Sequence, residues 1–136
     1  MDENSKSTSY IKSHGRRKEA AARVRLFKGN SPTIINGKTI DQYLRGPVDQ
    51  AKFNKFLNIV KSKDSFYATI KVVGSGKASQ LDAILHGLAR AYASNDQETK
   101  SALRKAGYLT RDPRVKERRK YGLAQKARKG KQSPKR

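Results

Sequence analysis

The sequence predicts an α+β domain of about 100 residues, spanning 10–109, followed by an extended basic tail over 110–136. Three observations carry that prediction. A period-two pattern near the start reads as a strand, two apolar stripes at helical spacing read as helices, and beyond Gly107 apolar periodicity stops altogether.

Taken in order, residues 1–9 are Ser-rich and polar and are expected to be disordered. Between Lys18 and Phe27, Ala20, Ala22, Val24 and Leu26 alternate with Ala21, Arg23, Arg25 and Phe27. That alternation predicts a strand with one small apolar face and one more basic face. Gly29-Asn30-Ser31-Pro32 reads as a turn, and Thr33–Ile35 as a short strand ended by the hairpin dipeptide Asn36-Gly37. Gly46-Pro47 breaks the chain before a helix expected over Val48–Ser62, with Phe53, Phe56, Leu57 and Val60 on one stripe. Phe66–Val73 is rich in aromatic and β-branched residues, which predicts a strand. After Gly74-Ser75-Gly76, a helix is expected over Lys77–Ala93, presenting Leu81, Ile84, Leu85, Leu88 and Tyr92 on one face. Asn95 with Glu98 reads as a capping box for a last short helix that ends at Gly107.

Charge then bounds the partners. The chain carries 32 Lys and Arg against 11 Asp and Glu, a formal charge of +21 in 136 residues. A compact monomer with that charge repels itself unless a polyanion neutralises it. Nucleic acid and an anionic membrane surface are the obvious polyanions. No run reaches the roughly 18 apolar residues of a spanning helix, and the polar start lacks the apolar middle of a signal peptide. Cysteine is absent, which removes disulfides, a thiolate nucleophile and cysteine-bound metal. A cytoplasmic protein is the expectation.

Residues 111–136 hold twelve cations opposed by Asp112 and Glu117, a net of +10 over 26 residues. Such a block stays extended until something anionic collects it. Fully stretched it reaches roughly 80 Å at about 3.3 Å per residue. Lys116-Glu117-Arg118-Arg119-Lys120 precedes Tyr121, adding a ring able to stack on an unpaired base. The same run has the composition of a nuclear-import signal. Near the other end, His14-Gly15-Arg16-Arg17-Lys18 opens the first long strand and reads as a phosphate-contacting patch rather than a solvated turn.

Catalysis has no visible home. Gly74-Ser75-Gly76-Lys77 is the nearest thing to a phosphate-binding P-loop, which needs G-x-x-x-x-G-K-[ST]. Lys71 occupies the first Gly position and Ala78 the Ser/Thr position, so the match fails at both ends. A tight turn, with amides able to face an RNA phosphate, is the better reading. His14 and His86 are the two histidines, with no partner at ligand spacing, and His86 is expected to face solvent or RNA. No cofactor and no metal are expected. A nonspecific DNA-compacting protein would use the same charge, and competition between duplex DNA and structured RNA separates it from an RNA-binding protein.

Several segments, in order, resemble one family. Gly15-Arg16-Arg17-Lys18, Ala22-Arg23-Val24, Asn36-Gly37, His86-Gly87-Leu88-Ala89-Arg90-Ala91, Leu103-Arg104-Lys105-Ala106-Gly107 and Leu109 through Leu123 are similar to the ninth small-subunit ribosomal protein family, bacterial type. The resemblance spans about residues 10–136. It implies a small βαβ-type two-layer domain, with a four-stranded sheet packed with helices. It further implies a structural place in the head of the small ribosomal subunit, among neighbouring ribosomal proteins.

By the same resemblance, Arg16, Arg17, Lys18, Arg23, Lys77 and Arg90 of the core contact ribosomal RNA. So do Arg111, Arg114, Lys116, Arg118, Arg119, Lys120, Lys126, Arg128, Lys129 and Lys131 of the tail, while Lys135 and Arg136 contact peptidyl-site tRNA. The chain departs from the family at Gly74–Gln80, where the family has three glycines and then Ser-Gly-Gln. It also has Asp82 and Leu85 in place of a Gly and an Arg, and Ser133-Pro134 before the terminal Lys135-Arg136. Leu85 removes one expected phosphate contact, and Lys77 stands nearby.

Overall fold

The computed structural model describes residues 9–60, 65–123 and 126–128. Among the described residues there are five strands: β1 (Tyr10–Arg17), β2 (Ala20–Lys28), β3 (Ile34–Ile35), β4 (Lys38–Thr39) and β5 (Phe66–Val73). The helices are α1 (Ile40–Tyr43), α2 (Pro47–Ile59), α3 (Lys77–Asn95) and α4 (Gln97–Ala106). The strands form one sheet in the order β1-β2-β5-β3-β4. β3 runs parallel to β5, and the other pairings are antiparallel. The α+β class and the packing of sheet on helix match the sequence reading. The sheet has five strands rather than four because a two-residue β4 is added beyond the Asn36-Gly37 turn.

Period-two alternation sets what the sheet buries. Ala20, Ala22, Val24 and Leu26 of β2, with Ala68, Ile70 and Val72 of β5, all point inward. They meet Leu81, Ile84, Leu85, Leu88 and Tyr92 of α3, the predicted stripe, every member of which is buried. Small Ala83, Gly87, Ala89 and Ala91 are buried as well, so α3 is covered on more sides than its large residues suggested. Phe53 and Phe56 of α2, with Val60 just after it, complete the core, and Leu57 packs at its margin. Phe56 sets its ring 6.3 Å from Tyr92, and Phe66 lies edge-on to Tyr92 at 6.0 Å. Each large side chain buried this way stabilises the fold by roughly 1.5–3 kcal/mol.

Boundaries differ from expectation in three places. The first long strand does not begin at Lys18. A full strand, β1, precedes it, and the chain reverses at Lys18-Glu19 with Lys18 at φ 53°. α2 ends at Ile59, and part of its expected end, Lys61 and Ser62, lies outside the described residues. The cap of α4 is Asp96, not Asn95: its carboxylate accepts from the Glu98 N–H at 3.2 Å and the Thr99 hydroxyl at 2.8 Å. Two adjacent residues with equal capping preference make that one-residue shift invisible in sequence.

β1 is an edge strand, and α3 deals with its exposed edge directly. A side chain at Gly15 would overlap the carbonyl oxygen of Ala83 and the amide nitrogen of Gly87. The strand and helix backbones therefore touch, which only glycine permits. Flanking that contact, the Arg16 N–H donates to His86 Nδ1 at 3.3 Å, and Arg90 Nη1 donates to the His14 carbonyl at 2.9 Å. One outward donor and one outward acceptor of the edge are thus satisfied by side chains one helical turn apart.

Candidate nucleic-acid interface

Among the described residues, no helix covers the other face of the sheet. Its outward residues form four rows across β1, β2 and β5, fixed by strand register. The first row is Tyr10, Phe27, Tyr67; the second is Lys12, Arg25, Thr69. The third is His14, Arg23, Lys71, and the fourth is Arg16, Ala21, Val73. No carboxylate stands in any of the four rows. Arg16 and Arg23 were expected at a phosphate-facing position and both are exposed here.

Arg17, their neighbour, points the other way because successive strand residues alternate sides. Its side chain is 14% exposed and pairs with Asp112 and Asp82, the latter at 3.8 Å. Asp82 also takes Lys52 at 3.4 Å. Lys18 lies exposed in the β1–β2 turn and Lys77 at the exposed start of α3. Gly74-Ser75-Gly76 is a tight turn whose Gly74 carbonyl accepts from Gln80 Nε2 at 3.2 Å.

His86 differs from expectation. It is half-buried, its Nδ1 accepts from β1, and it has a backbone hydrogen bond with Leu109. Burial, then nearby Arg90 and Arg111, push its pKa below the ordinary histidine value, opposed by the Leu109 bond. The ring joins the edge strand to the residues after α4, a role that requires β1 to be there.

The tail begins on the core. α4 closes with a Schellman motif: the Gly107 N–H donates to the Arg104 carbonyl and the Tyr108 N–H to the Leu103 carbonyl, both at 3.1 Å. Tyr108 then packs edge-on against Phe56, with ring centroids 5.2 Å apart. Beyond Leu109, Asp112 binds Arg17 of β1 and a bidentate Arg114, whose contacts range from 2.7 to 3.1 Å. Arg114 above all, with Arg17, holds the Asp112 carboxyl well below the usual carboxylate range.

Residues 111–120 form no helix or strand, and Arg111, Arg114, Lys116, Arg118, Arg119 and Lys120 are exposed. Arg128 pairs with Glu117 at 2.8 Å, which lowers the Glu117 pKa. Thus both acids of the tail are taken by arginine. Among the described residues, Arg111, Lys116, Arg118, Arg119, Lys120 and Lys126 have no carboxylate partner. Tyr121 is fully exposed beside them. Lys129, Lys131, Lys135 and Arg136 lie outside the described residues.

Chemically, the arrangement offers cations and aromatic rings. Among the described residues no group of three His, Asp or Glu is placed to hold a metal. No helix among them is long and apolar enough to cross a membrane. The family model for ribosomal protein S9/S16 matches residues 15–136, from the last three residues of β1 through the rest of the core and the tail. The chain belongs to the ribosomal protein S9/S16 family, whose members are structural, rRNA-binding components of the small ribosomal subunit.

Proposed function

We propose that this protein stabilises ribosomal RNA in the head of the small subunit, with its core docked on RNA and its tail threaded between RNA helices. The family match over the core and tail together carries this reading. It is supported by tail cations, Arg118 and Arg119 among them, that have no carboxylate partner among the described residues. Arg16, Lys18, Arg23, Lys77 and Arg90 of the core, and Arg111 to Lys131 of the tail, are the RNA contacts. Arg17 acts mainly by fixing the tail root through Asp112. Arginine suits the task because its planar fork grips phosphate in a bidentate manner. The protein has no catalytic role in this reading.

The terminal pair, Lys135 and Arg136, contacts the backbone of peptidyl-site tRNA. Ribosomes carrying a chain that lacks these two residues should assemble and sediment as small subunits but bind peptidyl-site tRNA more weakly. Unchanged tRNA affinity would remove the tip from the account. For the broader reading, the protein should remain with small subunits through a high-salt wash, because RNA encloses the tail on several sides. Complete release would argue against threading.

A further inference from the structure

We infer that the open face of the sheet is a second, separately built RNA-binding surface that takes unpaired nucleotides, resting on the ribosomal-RNA reading above. Two independent observations point to it. The first is the aromatic row. Tyr10, Phe27 and Tyr67 lie side by side on three strands, with successive centroids 5.2 Å apart. Phe27 and Tyr67 are stacked within 15°, and Tyr10 is 37% exposed at the sheet edge. Arg25 sits 5.3 Å and Lys12 5.7 Å from the centre of the Tyr10 ring. Outward aromatics on a sheet flanked by cations are a device for stacking bases while holding their phosphates.

The second observation is a depression at the opposite end of the same face. Ala21 forms its floor, and His14, Arg16, Arg23, Lys71 and Val73 surround it. It encloses about 410 Å³, within the roughly 300–1,000 Å³ range of ligand sites. The small side chain of Ala21 among longer neighbours creates it. Six residues separate Tyr10 from Arg16, about 20 Å at roughly 3.3 Å per residue. A short strand of RNA therefore lies along β2 with bases on the rings, phosphates over Lys12, Arg25 and Arg23, and one nucleotide in the depression. Duplex RNA presents its bases already stacked on one another, which leaves the aromatic row unused.

The test uses the full chain at about 200 mM salt, where the electrostatic share of binding is reduced. The probes are labelled octauridine and a blunt RNA duplex. Phe27→Leu and Tyr67→Leu should each weaken octauridine binding about tenfold, in line with roughly 1–3 kcal/mol per stacked base, and leave the duplex unchanged. Arg25→Glu, at an exposed position, should weaken octauridine more than duplex and keep the wild-type melting temperature. Ultraviolet cross-linking of octauridine to the unaltered chain should map to Tyr10, Phe27 or Tyr67. Cross-links confined to residues 111–136, equal losses on both probes, or displacement of octauridine by polyglutamate as readily as by RNA would each overturn the proposal. Should ribosomal RNA still bind with steep salt dependence in that case, the proposal fails alone. A flat salt response would remove the reading beneath it.

Discussion

The open sheet face and the tail are both strongly basic, yet they are built in opposite ways. On the face, neighbouring positions are held by strand pairing, in rows set by register. In the tail, residues 111–120 have no helix or strand, and an ion pair ties them to the sheet at the root, where Asp112 meets Arg17. The difference separates two contributions to binding. Unstructured charge gives affinity that salt erodes and that ignores sequence and pairing. Charge and rings on a rigid scaffold, by contrast, can select the form of the nucleic acid.

Removing cations from the tail should have the largest effect. Replacing Arg118, Arg119 and Lys120 with Gln should weaken binding to every RNA tested. It should flatten the log-affinity against log-salt slope by about 2–3, since each phosphate neutralised adds roughly 0.7–0.9 to that slope. A filter-binding titration at several salt concentrations measures this. An unchanged slope would mean those residues touch no phosphate.

Next comes damage to the scaffold. Gly15→Val drives a side chain into the Ala83 carbonyl and the Gly87 amide. It should cost about 1–3 kcal/mol or more, as overpacking does, and lower the melting temperature by about 4–8 °C per kcal/mol. Binding through the tail should survive in the remaining folded protein. Calorimetry beside the same titration would show whether the two regions separate as expected.

How far these features were legible in the sequence follows the same division. The Phe53–Val60 and Leu81–Tyr92 stripes and the Phe66–Val73 strand are strongly periodic, and each forms the element its pattern predicts. β1 was hidden because its inward positions include Ser13 and Gly15, which carry no apolar signal, and because its turn, Lys18-Glu19, contains no usual turn residue. Without β1, neither the edge-capping role of His86 nor the row of Tyr10, Phe27 and Tyr67 could be seen. Those three rings are far apart in sequence, and only strand register brings them together. The charge of the tail was plain from composition. That Asp112 would join it to Arg17 was not, since the two residues lie most of the chain apart.

A smaller effect should follow from pH. The pKa of His86 is lowered in the folded chain, so near its unfolded value of about 6.5 the unfolded chain binds more protons. Stability from this group is therefore complete above that value and falls as pH drops through it. The melting temperature should decline between pH 7.5 and 5, and His86→Gln should decline less over the same interval. Parallel curves would remove His86 from the edge-capping role.

Smallest, and local, is the tail root. The Asp112 carboxyl is held below its usual range, so its contribution is present above the unfolded value and lost only as pH falls through the folded one. The anchor thus persists through neutral and mildly acidic conditions. Asp112→Asn should speed hydrogen exchange at residues 108–112 several-fold while core amides keep their protection. Unchanged exchange there would mean that Tyr108 packing alone fixes the root.

The most direct test of the account is the affinity of the full chain for a ribosomal RNA fragment from the small-subunit head, measured across salt concentrations. With about eight phosphates engaged, affinity should fall by some three to five powers of ten between 50 and 200 mM salt. A flat response would contradict the account at its centre.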